Sequence, residues 1–211
     1  MLRFRYQDKP IETSCEFLTS VRPSEWLCQK KYDGWRGGLY TDESRVANFL
    51  SSSGKSMNKV SNIPPGLAKQ ISDFAAQLPP NSVVDSEFVG PRGGHVPRIF
   101  MFDVLAWDGE WQTTVPYQER WNRLVSEFTR QTVYSHIHLA DTVEEGFLEI
   151  FEELKNNWDR LVSQGRGKQD LYEGVIMKRR SGTLTLNLNS SSKSHHSMKI
   201  KYREIQERRF W

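Results

Sequence analysis

Two runs of strand-forming residues, 26–32 and 35–40, flank the dipeptide Asp33-Gly34. Aromatic and β-branched residues suit the half-buried surface of a sheet. Asp-Gly between two such runs signals a tight hairpin turn. The same texture recurs at 45–51, 83–89, 96–107, 133–139, 174–180, 183–188 and 197–202, which read as further strands. Helical spacing interrupts it in three places. Pro64-Pro65-Gly66 opens a helix carrying Leu67, Ile71, Phe74 and Leu78, ended by Pro79-Pro80. Pro116 starts a second, with Trp121, Leu124, Val125 and Phe128 on one face. Asp141 or Thr142 is expected to cap a third, running to about Leu161, with Glu144, Glu145, Glu149, Glu152 and Glu153 as its solvated face. Residues 107–110 read as a turn, 165–168 as a loop, and 187–196 as a polar, Ser-rich loop. Strands outnumber helices and do not alternate regularly with them. The expected class is therefore α+β with substantial antiparallel sheet, not a doubly wound parallel sheet.

A chain of 211 residues can bury a sizeable core, and one domain over 1–211 is the expected organisation. Hydrophobic residues make up 37% and charged residues 26%, as in ordinary soluble proteins. No stretch approaches the roughly 20 apolar residues of a membrane span. The first ten residues, MLRFRYQDKP, lack the apolar core of a secretory signal. Cys15 and Cys28 supply neither a disulfide framework nor a zinc site by themselves. The expected location is intracellular, in cytoplasm or nucleus, or in a virus-encoded setting, with no membrane partner. A net charge of +3 is compatible with nucleic acid without requiring it.

The chemistry concentrates in four segments. Lys30-Lys31-Tyr32-Asp33-Gly34-Trp35-Arg36 comes first, then Asp85-Ser86-Glu87, Glu173-Gly174-Val175-Ile176-Met177-Lys178 and Lys199-Ile200-Lys201. A lysine amine is a nucleophile only when neutral, which burial and neighbouring cations promote. Lys30, Lys178, Lys199 and Lys201 become such neighbours of Lys31 if the strands converge, and they can also neutralise phosphate oxygens. Glu87 and Glu173 supply hard oxygens for a divalent ion, and Mg²⁺ is ordinarily held by one or two carboxylates plus phosphates. Phe102 offers a ring for stacking on a purine.

These segments, in this order, resemble the motifs of the covalent nucleotidyltransferases: ATP-dependent DNA ligases, RNA ligases and mRNA capping guanylyltransferases. Lys31-Tyr32-Asp33-Gly34 with Arg36 resembles the nucleophile motif. Phe102-Asp103 and Pro116-Tyr117-Gln118-Glu119-Arg120 continue the likeness, which covers residues 29–201. It is greatest to the adenylation domain of ATP-dependent DNA ligases. The resemblance implies a nucleotidyltransferase (ATP-grasp-like) domain of antiparallel sheets flanked by helices. It makes Lys31 the catalytic residue that becomes lysyl-AMP, with ATP and Mg²⁺ as cofactors. Asp33 and Arg36 organise the nucleophile, with Arg36 near the ribose. Glu87 contacts ribose or metal, Glu173 ligates metal, and Phe102 stacks on the base. Lys178, Lys199 and Lys201 contact the nucleotide, the last two at its phosphates. Gln29 stands where DNA ligases carry a glutamate that reads the adenine amino group, and its amide can still accept from that group. Ser52 stands where an arginine for substrate phosphate is usual.

No OB-fold domain is expected within 1–211, so a separate clamp or OB-fold partner is one way to hold the nucleic acid. The function implied is an ATP-dependent polynucleotide ligase of DNA repair or replication that seals nicks, with DNA favoured over RNA. RNA ligase is the alternative. Behind it stand a capping guanylyltransferase and, from a different class, a catalytically dead nucleic-acid-binding module.

Overall fold

A computed structural model describes residues 5–51, 54–56, 63–91, 94–129, 134–187 and 193–202. Ser52, Val133 and Leu188 lie outside them. Two sheets form the body of the fold. In the first, the order is β10 (Thr142–Val143), β3 (Trp26–Tyr32), β11 (Tyr172–Arg179), β13 (Lys193–Lys201) and β2 (Lys9–Glu12). In the second it is β5 (Ala47–Ser51), β4 (Trp35–Thr41), β6 (Val83–Val89), β7 (Arg98–Trp107) and β8 (Glu110–Trp111). There β9 (Ile137–Leu139) also joins β7. Pairing is antiparallel except for β13 with β2 and β7 with β9. A separate pair joins β1 (Tyr6–Gln7) to β12 (Leu186–Asn187).

Helices cover the outer faces. On the second sheet, α2 (Pro65–Ala75) and α3 (Tyr117–Thr129) bring Leu67, Phe74 and Leu124 against Leu39, Phe49, Val84 and Met101. On the first, α1 (Glu16–Ser20) and α4 (Phe147–Ser163) bring Leu18, Phe151 and Leu154 against Cys28, Val175 and Met177. Each such fully buried side chain stabilises the fold by about 1.5–3 kcal/mol. The alternate residues of the strands are thereby left for the inner faces.

The expected hairpin at Asp33-Gly34 does not form. β3 pairs with β10 and β11, whereas β4 pairs with β5 and β6. The dipeptide carries the chain from one sheet to the other. Asp-Gly specifies a sharp change of direction, and long-range partners decide which strands pair. A Cβ on Gly34 would lie 2.4 Å from the Phe88 carbonyl oxygen, so the close approach here requires glycine.

Other boundaries also move. Thr142 caps no helix: it belongs to β10, and α4 starts at Phe147 after Gly146, whose φ of 67° is left-handed. Residues 193–196 of the expected loop are the start of β13, and of the described residues 183–187 only Leu186–Asn187 is strand. β1, β2 and α1 had no clear sequence signal. The turn at Asp108-Gly109 does form, with φ of 49° and 84°, and joins β7 to β8.

Candidate active site

The inner faces enclose a cavity of about 360 Å³ between the two sheets. Alternation along β3 directs Gln29 and Lys31 to it. From β11 and β13 come Glu173, Lys178, Lys199 and Lys201. Asp33 sits at the crossing, Arg36 enters from β4, Glu87 from β6 and Phe102 from β7. All ten side chains expected at the site thus line one space.

Glu173 is the electrostatic centre. It is 6% exposed, and its two oxygens are divided between cations. Oε1 pairs with Lys31 Nζ, and Oε2 accepts from Lys201 Nζ at 2.9 Å. Burial pushes this carboxyl up, but Lys31 and Lys201 outweigh it and hold it at about 2. Glu87 has the opposite fate. Burial drives it up to about 7 against the pull of Lys31 and Arg36, with Glu173 and Asp85 adding repulsion. Glu87 stands directly across the ladder from Arg36.

Arg36 is fastened rather than loose. Its Nε and Nη2 donate to the Asp85 carboxylate at 3.1 and 2.6 Å, and Nη1 donates to the Asp8 carbonyl at 2.7 Å. Asp85 is fully buried, and the first acid of Asp85-Ser86-Glu87 therefore serves to anchor Arg36. The Arg36 guanidinium and the Lys178 ammonium lie 5.9 and 5.6 Å from the centre of the Phe102 ring, and Lys178 also lies 5.3 Å from that of Tyr117. Burial lowers the Lys178 pKa. Lys199 pairs with Glu12 at 2.8 Å and Lys30 with Asp141 at 3.2 Å.

Arg120 lies deeper, 2% exposed. Its Nε and Nη2 donate to Asp103 at 2.8 and 3.0 Å, and Nη1 reaches the carbonyls of Val115 and Gly182. It holds α3 against β7 and does not line the cavity.

Sequence reasoning missed two contributors. Strand β2 supplies Lys9 and Pro10 to the cavity wall and Glu12 to Lys199. Its four residues include a proline, which is tolerated because β2 is an edge strand. Thr142, one of two candidates for a helix cap, lies opposite Gln29 in the β10–β3 ladder.

Two carboxylates facing a cluster of ammonium groups suit a nucleoside triphosphate with a divalent ion. No group of three or more acidic, His or Cys side chains able to hold a metal exists among the described residues. A bound ion would need further oxygens from phosphate or water, which is the habit of Mg²⁺.

No protein-family model and no curated protein sequence matches the chain. Solved structures do. A mycobacterial DNA ligase D complexed with ATP and MES is 18% identical, with a TM-score of 0.66 over 95% of this chain and 61% of that one. The ligase domain of M. tuberculosis LigD is 19% identical, with a TM-score of 0.62 over 93% of this chain and 60% of that one. An archaeal ATP-dependent RNA ligase is 15% identical, with a TM-score of 0.51 over 93% of this chain and 48% of that one. The fold is that of the nucleotidyltransferase domain of ATP-dependent ligases. The chain spans about 60% of the length of the first two. Among the described residues no helix is long and apolar enough to cross a membrane.

Proposed function

We propose that the chain is the adenylation domain of an ATP-dependent polynucleotide ligase, acting on nicked DNA. The observation that carries this reading is the Lys31–Glu173–Lys201 cluster in the wall of a nucleotide-sized cavity. Lys31 Nζ attacks the α-phosphorus of ATP. A P–N bond forms, the bond to the bridging oxygen breaks, and pyrophosphate leaves. Before attack, Lys31 must give up a proton to solvent and let go of Glu173. Glu87 and Glu173 would hold a divalent ion, which would supply positive charge to the phosphates. Lys199 and Lys201 hold phosphate oxygens, while Gln29, Ile176 and Phe102 receive the base. AMP then passes from Lys31 to the 5′-phosphate at a nick, and the 3′-hydroxyl displaces AMP to close the strand. An OB-fold unit or clamp, elsewhere in a longer chain or on a partner, would complete the grip on the duplex.

The test uses ATP or GTP labelled at the α-phosphate, with Mg²⁺, followed by a denaturing gel. The expected result is a label from ATP that Lys31→Ala abolishes while circular dichroism stays unchanged. Label from neither nucleotide, or label that survives Lys31→Ala, overturns the reading. Adenylated protein is then offered nicked DNA and nicked RNA duplexes. Sealing only of RNA would replace the DNA assignment by the RNA-ligase one.

A further inference from the structure

The orientation of the Gln29 side chain is fixed by chemistry on the protein side. The Thr142 hydroxyl oxygen lies 2.9 Å from the Ala140 carbonyl oxygen. A carbonyl only accepts, so the single hydroxyl proton is spent there. Toward Gln29, 3.1 Å away, the same hydroxyl can then only accept, and the group facing it must be the amide NH₂. The Gln29 carbonyl oxygen is thereby turned the other way, with no protein donor bonded to it among the described residues. The Tyr117 hydroxyl, which the Gln29 side chain also approaches, is no alternative donor, because its proton goes to the Phe102 carbonyl at 3.0 Å.

The segment that sets this orientation is itself held from both sheets. The Ala140 N–H donates to the Met101 carbonyl on β7 at 2.8 Å. The Asp141 N–H donates to the Tyr32 hydroxyl at 3.1 Å, and the Asp141 carbonyl accepts from the Lys30 N–H at 3.0 Å. Gln29 is 2% exposed, so its side chain has little room to reorient. In the ladders, Gln29 and Lys199 flank Ile176, while Lys31 and Lys201 flank Gly174. The amide therefore sits level with Lys199 and two residues, about 7 Å along the strand, from Lys31 and Lys201.

We infer that Thr142 is a specificity-determining positioning residue: it locks Gln29 as an acceptor-only probe that selects a nucleobase bearing an exocyclic amino group at its facing edge. This rests on the nucleotide reading of the cavity. Adenine offers an amino donor where guanine offers a carbonyl acceptor. Guanine would place two acceptors together, and a freely turning amide would tolerate either base.

The test measures the ratio of AMP to GMP adduct formed by wild type, Thr142→Val, Thr142→Ser and the double variant Thr142→Val/Gln29→Glu. Equilibrium binding of AMP and GMP is followed in parallel by calorimetry. Thr142→Val should lower discrimination by about tenfold, the equivalent of about 1.4 kcal/mol for one lost buried hydrogen bond. Thr142→Ser should restore it. The double variant should also regain it, because a carboxylate accepts from either oxygen. Unchanged discrimination in folded Thr142→Val overturns the inference, as does discrimination lost in all three variants alike. If no adduct forms but binding still discriminates through Thr142, the covalent reading falls and this one stands. If wild type binds neither nucleotide, both fall.

Discussion

Replacing Glu173 by glutamine leaves Lys31 and Lys201 facing each other without the carboxylate between them. The native carboxyl drops from its ordinary 4.5 to about 2, with burial opposing and the two lysines prevailing. At about 1.4 kcal/mol per pH unit, this corresponds to about 3 kcal/mol as an upper bound. For a chain of this size, the loss amounts to a fall in Tm of about 6–12 °C. The pH dependence gives the sharper test. A carboxyl with a depressed pKa contributes stability that is complete above its unfolded value and lost as pH falls through the folded one. The gap between wild type and Glu173→Gln should therefore be widest above about pH 5 and shrink steadily toward pH 3. Thermal unfolding followed by circular dichroism from pH 3 to pH 8 reads this directly. A gap independent of pH, or no gap at pH 7, would refute the electrostatic account. The same variant should form no lysyl-nucleotide adduct.

Glu87 should behave with the opposite sign. Held up to about 7 by burial, it binds more protons folded than unfolded between pH 4.5 and 7, so it costs stability as pH rises. Glu87→Gln should flatten the urea midpoint against pH in that window and raise it at pH 8. Arg120→Met, which strands Asp103 in the core, should cost about 3–5 kcal/mol in denaturant titration, and Arg120→Met/Asp103→Leu should recover much of it. Gly34→Ala should destabilise by about 1–3 kcal/mol or more and slow adduct formation, because its methyl meets the Phe88 carbonyl and the Glu87 side chain. An unchanged melting curve would remove the close-approach argument.

The long strands and both middle helices were legible because their cues are local. Residues 26–32 and 83–89 carry continuous strand-forming character, and β3 and β6 have those very bounds. α3 likewise follows Pro116 as its periodicity predicts. Ten of the residues lining the cavity were legible from motif order, since strands that carry chemistry at alternate positions deliver it to one face. Pairing was not. The Asp33-Gly34 signal describes the bend at those two residues, and the residues that pair with β3 and β4 lie from 6 to 153 positions away in the chain. Short elements were hidden for the same reason. Thr142–Val143 and Lys9–Glu12 are strands only because β3 and β13 present open edges to them, and nothing in two or four residues announces that.

The crossing at Asp33-Gly34 also gives the cavity a spine. Lys31 lies near the end of one wall and Arg36 near the start of the other, so the Lys31 amine sits beside the fold of a half-open book. A change in the angle between the covers displaces their outer margins most and the spine least. Groups arriving at the margins can differ in bulk without disturbing the position of Lys31, whereas any added atom at the spine, as at Gly34, is felt at once by Glu87.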